Sequence, residues 1–486
     1  MRRTPLRAGV IAALKPHRAK GGEQLLGPRA VIVRFFPAVS GSPPAGASGT
    51  RPVPAMELHG QAGRSTLQQM TFSGGVCNRR TLLLGGAFSL RGLSAAVQAA
   101  SSPYRRPKLK ITDVRTAYVS GHGPQLHVRV STDQGLWGQG EATDGAVGGA
   151  ALIAGWRRSL LGKDPLNVEA IWEQIRTGGI FAGAQGGQYV TALSGLEIAL
   201  WDLAGKARGL PVYQLLGGKV RDRIRVYCDS ANHHPDDPRA KEKLAEIQAL
   251  GFTAVKIDLD EAADPARWDR VNWTASNSEV DRMVREVAFV RENLAPRVDL
   301  AADMHGRYDM GTAKRVAAAL EPFRLLWLEE PVPPENIDAL RDVRQSTKTP
   351  ICCGENLFLR HGFREVLEKR AVDIIMPDIQ KCGGLLEARK IADMAHTYYV
   401  PVAPHCVVSP VGYMASCHVC AAIPNFLVLE WHWLERRELW RRFVKEGEII
   451  EKGFVTVPDR PGIGVEMDDE AVRAARLPGT PWFEAK

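Results

Sequence analysis

From Leu109 onward, apolar and polar residues alternate through Val119, again over Gln125-Leu-His-Val-Arg-Val130, and again over Gly135-Leu-Trp-Gly-Gln-Gly-Glu141. The breaks Gly121-His-Gly-Pro124 and Thr132-Asp-Gln-Gly135 separate these runs, so the pattern predicts a three-stranded antiparallel meander. The period then lengthens. A helix is expected over Val190–Arg208, with Leu193, Leu196, Ile198, Leu200, Trp201 and Leu203 on its buried side and Gly209-Leu-Pro211 stopping it. After Arg223 short apolar runs alternate with helical stretches such as Val280–Asn293 and Gly384–His396. The predicted strands end near Asp229, Lys256, Asp303, Glu329, Glu355, Met376, Ala403 and Leu429. Eight parallel strands with helices between them fit a closed barrel better than an open sheet, and in a barrel the C-terminal strand ends share one mouth.

Residues 1–69 show neither period and are rich in Gly, Pro, Ala and Arg, which predicts disorder or upstream translated sequence. From Met70 the chain carries Arg79-Arg80, a modest apolar stretch interrupted by Arg91, and Ala95-Ala-Val-Gln-Ala-Ala-Ser101, a pattern like a twin-arginine export signal over about residues 70–100. Met56 or Met70 is then the expected start, and periplasmic export the expected destination, with the cytoplasm as the alternative. The expected organisation is an N-terminal extension over 1–107, an α+β capping domain over 108–222, and a barrel over 223–431, with 432–486 returning to the cap.

Charge changes the picture only locally. The net charge is +9, but residues 1–107 hold 15 Lys and Arg against Glu23 and Glu57, leaving 48 basic and 52 acidic residues for the rest. The predicted folded part is mildly acidic, so a nucleic-acid partner has no support. No run of eighteen apolar residues occurs, which argues against a membrane span. Several of the eight cysteines (Cys77, Cys228, Cys352, Cys353, Cys382, Cys406, Cys417, Cys420) sit inside apolar runs and are expected as small buried hydrophobes. Cys417 and Cys420 lack a second pair at zinc-ribbon spacing and are expected to pack in a helix.

The chemistry lies at the strand ends. Asp303, Glu329 and Glu355 are separated by two equal steps of 26 residues, each suited to one strand, one helix and two loops, which sets three carboxylates side by side. Three converging acids need a cation, and all-oxygen ligation with open positions favours Mg²⁺ over zinc. Nearly every other predicted strand also ends in an ionisable group: Lys256-Ile-Asp258, Asp303-Met-His305-Gly-Arg307, Asp378, His405 and Glu430.

These residues resemble the enolase superfamily, and within it the branch of mandelate racemase and the acid-sugar dehydratases, over about residues 108–486. The resemblance implies a (β/α)7β modified TIM barrel under an α+β capping domain and one Mg²⁺ per subunit held by Asp303, Glu329 and Glu355. It also implies a homo-oligomer and a small sugar-acid substrate. Asp378 would orient His405, the base that takes a proton from carbon 2. In the resembling D-galactonate dehydratases a histidine at the place of His305 donates a proton to the hydroxyl leaving carbon 3, giving a 2-keto-3-deoxy acid. Lys256 would meet the substrate carboxylate or act as a polariser on the face opposite His405, Glu430 would meet the carboxylate or the enolate oxygen, and Arg307, Asn232 and His233 the distal hydroxyls.

The pattern also departs from its relatives. Racemases of this branch carry Lys-x-Lys where this chain reads Lys256-Ile-Asp258, so two-base racemisation loses its second base. Lactonising relatives place a lysine at Asp378, and glucarate-type dehydratases an asparagine at Glu355. A racemase or epimerase of a 2-hydroxy acid and a non-catalytic binding or regulatory protein are the rival readings. The segments Ser120–Pro124 and Gly178–Gln188 are expected as a mobile glycine-rich lid.

Overall fold

The computed structural model describes residues 106–143, 148–262, 264, 267–269 and 271–483. The expected N-terminal extension, its export signal and Cys77 lie outside these residues. Strands β1 (Ile111–Gly121), β2 (Gly123–Thr132) and β3 (Trp137–Ala142) form the antiparallel meander that alternation predicts. Leu126, Val128 and Val130 of β2 face the helix Gly187–Arg208, which presses on β3 at two glycines. A Cβ on Gly138 would lie 2.1 Å from Ala199 O, and one on Gly140 would lie 2.2 Å from Gly195 O, so only glycine permits this approach. That helix is buried almost all round, with Trp201 the partly exposed residue among those expected inside. Its far side also meets neighbours, for Glu197 accepts from the backbone N–H groups of Leu385 and Leu386.

The second layer is a parallel ring. Strands β4 (Arg223–Asp229), β5 (Ala254–Asp258), β6 (Asp299–Asp303), β7 (Leu328–Glu329), β8 (Ile351–Cys353) and β9 (Ile374–Ile375) pair in sequence order, and β10 (Leu429–Trp431) pairs with the other edge of β4. Between β9 and β10 the expected seventh strand is reduced to one residue: Val402 bridges Ile375 on one side and Phe426 on the other, which carries the circuit round. Pro401 and Pro404 flank Val402, and proline offers no N–H to a ladder, which explains the shortening.

Strand periodicity of two then sorts each strand between a packed interior and a polar mouth. Tyr227, Ala254, Ala301, Trp327, Cys352, Met376, Ala403 and Val428 form one buried interior cluster. Two residues further along stand Asp229, Lys256, Asp303, Glu329, Gly354, Asp378, His405 and Glu430. The C-terminal stretch serves both layers. Its strand β11 (Phe454–Thr456) pairs antiparallel with β4, and Arg476 and Trp482 bridge β1 at Val119 and Ala117.

The seven described cysteines are free and buried, Cys417 and Cys420 among them. Among the described residues no helix is long and apolar enough to cross a membrane.

Candidate active site

Register aligns the first acids. Asp258 pairs with Asp303, and Asp303 with Glu329, so the three lie at one level across β5, β6 and β7. Glu355 follows β8 past Gly354, whose φ of +150° and whose crowding against Met376 (2.9 Å from a built Cβ) both call for glycine. Ligand-capable oxygens of Asp303, Glu329 and Glu355 lie within 4.8 Å of one another. Asp258–Asp303–His305 and Asp229–Glu430–His432 meet the same distance, but only the first trio offers oxygen alone.

Lys256 is the hub of this mouth. Its buried ammonium lies 2.9 Å from Asp303 Oδ2, 3.0 Å from Glu430 Oε1 and 3.3 Å from both Asp229 Oδ2 and Glu329 Oε2. The contact with Glu430 is close without being aligned, so Oε1 has no hydrogen-bond partner among the described residues. Burial opposes the charged ammonium, but Asp229, Asp303, Glu329 and Glu430 outweigh it and hold Lys256 well above its ordinary range. Burial also pushes Asp303 up, and here Lys256 and His305 prevail, leaving it below the usual carboxylate range. Glu329 ends on the other side: burial and the neighbouring Asp303 drive it well up. One lysine thus cannot keep all these acids ionised. The donor set of Asp303, Glu329 and Glu355 fits a hard divalent cation.

His405 and Asp378 are brought together as the spacing predicts, with His405 Nδ1 2.7 Å from Asp378 Oδ2. That bond leaves Nε2 toward the acids, 3.3 Å from Glu355 Oε2 and 3.7 Å from Glu430 Oε2. Burial disfavours the imidazolium, but Glu430, Glu355 and Asp378 overcome it and raise His405 well above 6.5. The ring holds its proton unless those carboxylates are themselves neutralised.

His305 reaches the same acids from the opposite strand. Its backbone is left-handed (φ +47°), fixed by His305 N donating to Asp303 Oδ1 at 2.8 Å and Gly306 N to Glu330 O at 2.7 Å. Nδ1 lies 2.5 Å from Asp260 Oδ1, and Nε2 lies 3.6 Å from Asp303 Oδ2. Burial lowers this histidine, yet Asp303, Asp260 and Asp258 carry it up to about 11.

Beside this centre opens a cavity of about 460 Å³, lined among others by His122, Asp229, Asp258, His305 and His432. Burial and Asp229 push Asp258 up to about 8. The other residues expected at the substrate behave differently. Arg307 lies half exposed with Nε 2.7 Å from Asp260 Oδ2, and Asn232 Nδ2 donates to Asp258 O at 2.9 Å. His233 is fully buried and bonded to Ser230 Oγ, so it is a core residue and not a contact for hydroxyls. The segment Ser120–Pro124 is a tight hairpin with His122 alone between paired Gly121 and Gly123. Gly178–Gln188 contains a short 3-10 turn over Ile180–Ala182 and leads into the helix Gly187–Arg208.

Sequence reasoning missed Asp260, His432 and Glu141. Asp260 lies two residues past Asp258 on the same extended segment, and that periodicity was the available signal. Glu141, the residue before the end of β3, accepts from Ser409 N at 2.9 Å and Gly412 N at 3.0 Å, anchoring the segment that follows His405. No local pattern marks a contact across 268 residues.

Residues 105–217 match the mandelate racemase / muconate lactonizing enzyme N-terminal domain, and residues 239–471 match the enolase C-terminal domain-like family. A D-xylonate dehydratase from Haloferax volcanii is 42% identical over 400 residues, covering 82% of this chain and 96% of that protein. A D-galactonate dehydratase from Variovorax paradoxus is 34% identical, covering 76% and 95%. The crystal structure of a mandelate racemase/muconate lactonizing enzyme-like protein from Rubrobacter xylanophilus superposes with a TM-score of 0.74 at 45% identity, covering 78% of this chain and all of that one.

Proposed function

This chain belongs to the mandelate racemase / muconate lactonizing enzyme family of the enolase superfamily, and we propose that it is a magnesium-dependent hydro-lyase that dehydrates a sugar acid to a 2-keto-3-deoxy acid. The observation that carries this reading is a pair of histidines on opposite strands. Each has Nδ1 tied to an aspartate and Nε2 aimed at the same carboxylate cluster, at 3.3 Å from Glu355 and 3.6 Å from Asp303. One can remove a proton while the other supplies one.

Asp303, Glu329 and Glu355 would hold the magnesium, which when bound would supply positive charge to offset the second negative charge developing on the substrate carboxylate. His405 Nε2 takes the proton from carbon 2, and Asp378 keeps the ring in the tautomer that can accept it. His305 Nε2 gives a proton to the hydroxyl on carbon 3, the carbon–oxygen bond breaks, and water leaves. The electron pair left at carbon 2 becomes the new double bond, and the resulting enol tautomerises to the ketone. Lys256 and Glu430 bracket the place of the acid group, Lys256 as a fixed cation and Glu430 through an Oε1 that lies 3.0 Å from Lys256 but accepts no aligned hydrogen bond among the described residues.

Racemisation fits less well. A second base is needed opposite His405, and Lys256 is buried among four carboxylates that hold its proton.

The test is a panel of five- and six-carbon sugar acids with and without Mg²⁺, read as release of 2-keto-3-deoxy acid. Release that chelation abolishes is the expected result. No turnover across the panel despite tight Mg²⁺ binding would favour the binding or regulatory reading instead. Export is a separate proposal resting on Arg79 and Arg80: changing both to lysine should leave the chain in the cytoplasmic fraction, and an unchanged distribution would refute it.

A further inference from the structure

Behind His405, a circuit of hydrogen bonds joins the capping sheet to the barrel. Asp378 opens a turn in which Lys381 N and Cys382 N both donate to its carbonyl, and the fully buried Gln380 lies inside that turn. Gln380 N donates to Asp378 Oδ1 at 2.8 Å, while Oδ2 of the same carboxylate meets His405 Nδ1 at 2.7 Å. Hydrogen bonds weaken steeply as their angle opens, so with one oxygen held by a backbone N–H the rotation of the carboxylate depends on where Gln380 sits.

The side chain of Gln380 fixes that place. Its Nε2 donates to Gly412 O at 2.9 Å and to Ser416 Oγ at 3.0 Å, both on the helix Pro410–Ala422, whose residues are all buried. Ser416 Oγ also accepts from the thiol of Cys406, the residue next to His405, at 3.6 Å. The start of the helix is gripped from the capping sheet. Glu141 accepts from Ser409 N and Gly412 N, and Thr143, just past β3, donates through Oγ1 to Val407 O at 2.9 Å. The bonds run from Asp378 to Gln380, on to Gly412 and Glu141, and back through Ser409 to the segment that carries His405. A carboxylate in place of the Gln380 amide could not donate to Gly412 O, and an apolar side chain would leave the turn unanchored to the helix.

We propose that Gln380 is a positioning residue for proton transfer at carbon 2. Its amide locks the turn that aims Asp378 at His405, and through Gly412 and Glu141 it makes the capping sheet part of the frame of the base. Gln380 itself lines neither the cavity nor the carboxylate cluster. The inference rests on the dehydratase reading only in taking His405 as the base.

The experiment compares the wild type with Gln380→Met, which is similar in length and lacks the amide, and with Ser416→Ala, which removes one partner of that amide. Working sites are counted by Mg²⁺ titration calorimetry, and kcat, KM and solvent-deuterium exchange at carbon 2 are expressed per site. A misplaced base costs rate and not binding, so Gln380→Met should lose about 30-fold in kcat and in exchange per site and Ser416→Ala about threefold, with KM and the Mg²⁺ dissociation constant within about twofold of wild type. Fewer sites that each work at the wild-type rate would overturn the role and leave Gln380 a packing residue. KM and Mg²⁺ affinity worsening in step with kcat would overturn it too. If Gln380→Met does not fold, Ser416→Ala decides alone, and a wild-type rate per site refutes the role. A wild type that exchanges the carbon 2 hydrogen but dehydrates no acid would overturn the dehydratase reading and leave this inference standing, whereas one that does neither would overturn both.

Discussion

The two histidine–aspartate pairs at the barrel mouth share a design and differ in their surroundings. His405 and Asp378 are enclosed, with side-chain exposures of 7% and 0%, and the ring faces Glu355 and Glu430. His305 and Asp260 stand at the cavity edge, with exposures of 33% and 10%, and Asp260 also holds Arg307. A proton bound to carbon is removed only slowly by any base, so enclosure and fixed direction serve His405. A departing hydroxyl must become water and leave, so an acid at the edge of an open cavity serves that step. The difference teaches that the same two-residue device takes its role from what surrounds Nε2.

Breaking the enclosed pair should have the largest effect. His405→Asn is expected to lower kcat by about 10³-fold and to abolish exchange of the carbon 2 hydrogen with solvent deuterium. If that exchange survives at the wild-type rate, the base has been misassigned. Breaking the edge pair should split the two reactions: His305→Asn is expected to lose about 10²-fold in dehydration while carbon 2 exchange continues. Loss of both activities together would show that the pairs do not divide the labour. Subtler changes sharpen the same contrast. Asp260→Asn should cost about tenfold in dehydration alone, whereas Asp378→Asn should slow exchange and dehydration alike, because each aspartate orients only its own ring.

The enclosed pair was also the more legible in the sequence. Asp378 and His405 close predicted strands, and period-two alternation from Met376 and Ala403 carries both into the mouth. The metal trio was legible for the same reason, since equal spacing reflects repeated strand-helix units. Asp260, by contrast, lies two residues past the end of β5, and it reaches His305 across 45 residues. The seventh strand was visible as an apolar run, but its two prolines limit what it can pair. The helix Gly187–Arg208 looked one-sided because sequence shows a helix only its own pattern; its second buried face comes from neighbours such as the backbone at Leu385 that are remote in sequence.

One further asymmetry concerns how the two histidines are framed. The segment after His405 is tied to the capping sheet by Glu141, which accepts from Ser409 and Gly412, whereas His305 is held by Asp303 and Asp260 of the barrel mouth. Burial raises Glu141 to about 7 from an ordinary value of 4.5. In the unfolded chain Glu141 ionises near 4.5, while the folded chain keeps its proton until about 7, so the folded state binds more protons across that interval. The stabilisation is fully present below the lower value and lost as pH rises through the higher one. Wild-type melting temperature, taken relative to Glu141→Gln, should therefore fall by a few degrees between pH 4.5 and 7 and level off above it. Melting curves of both proteins at half-unit steps would check this. A difference that stays flat or grows across the interval would mean that Glu141 ionises readily in place, and that the frame of His405 is held by an ordinary surface-like carboxylate.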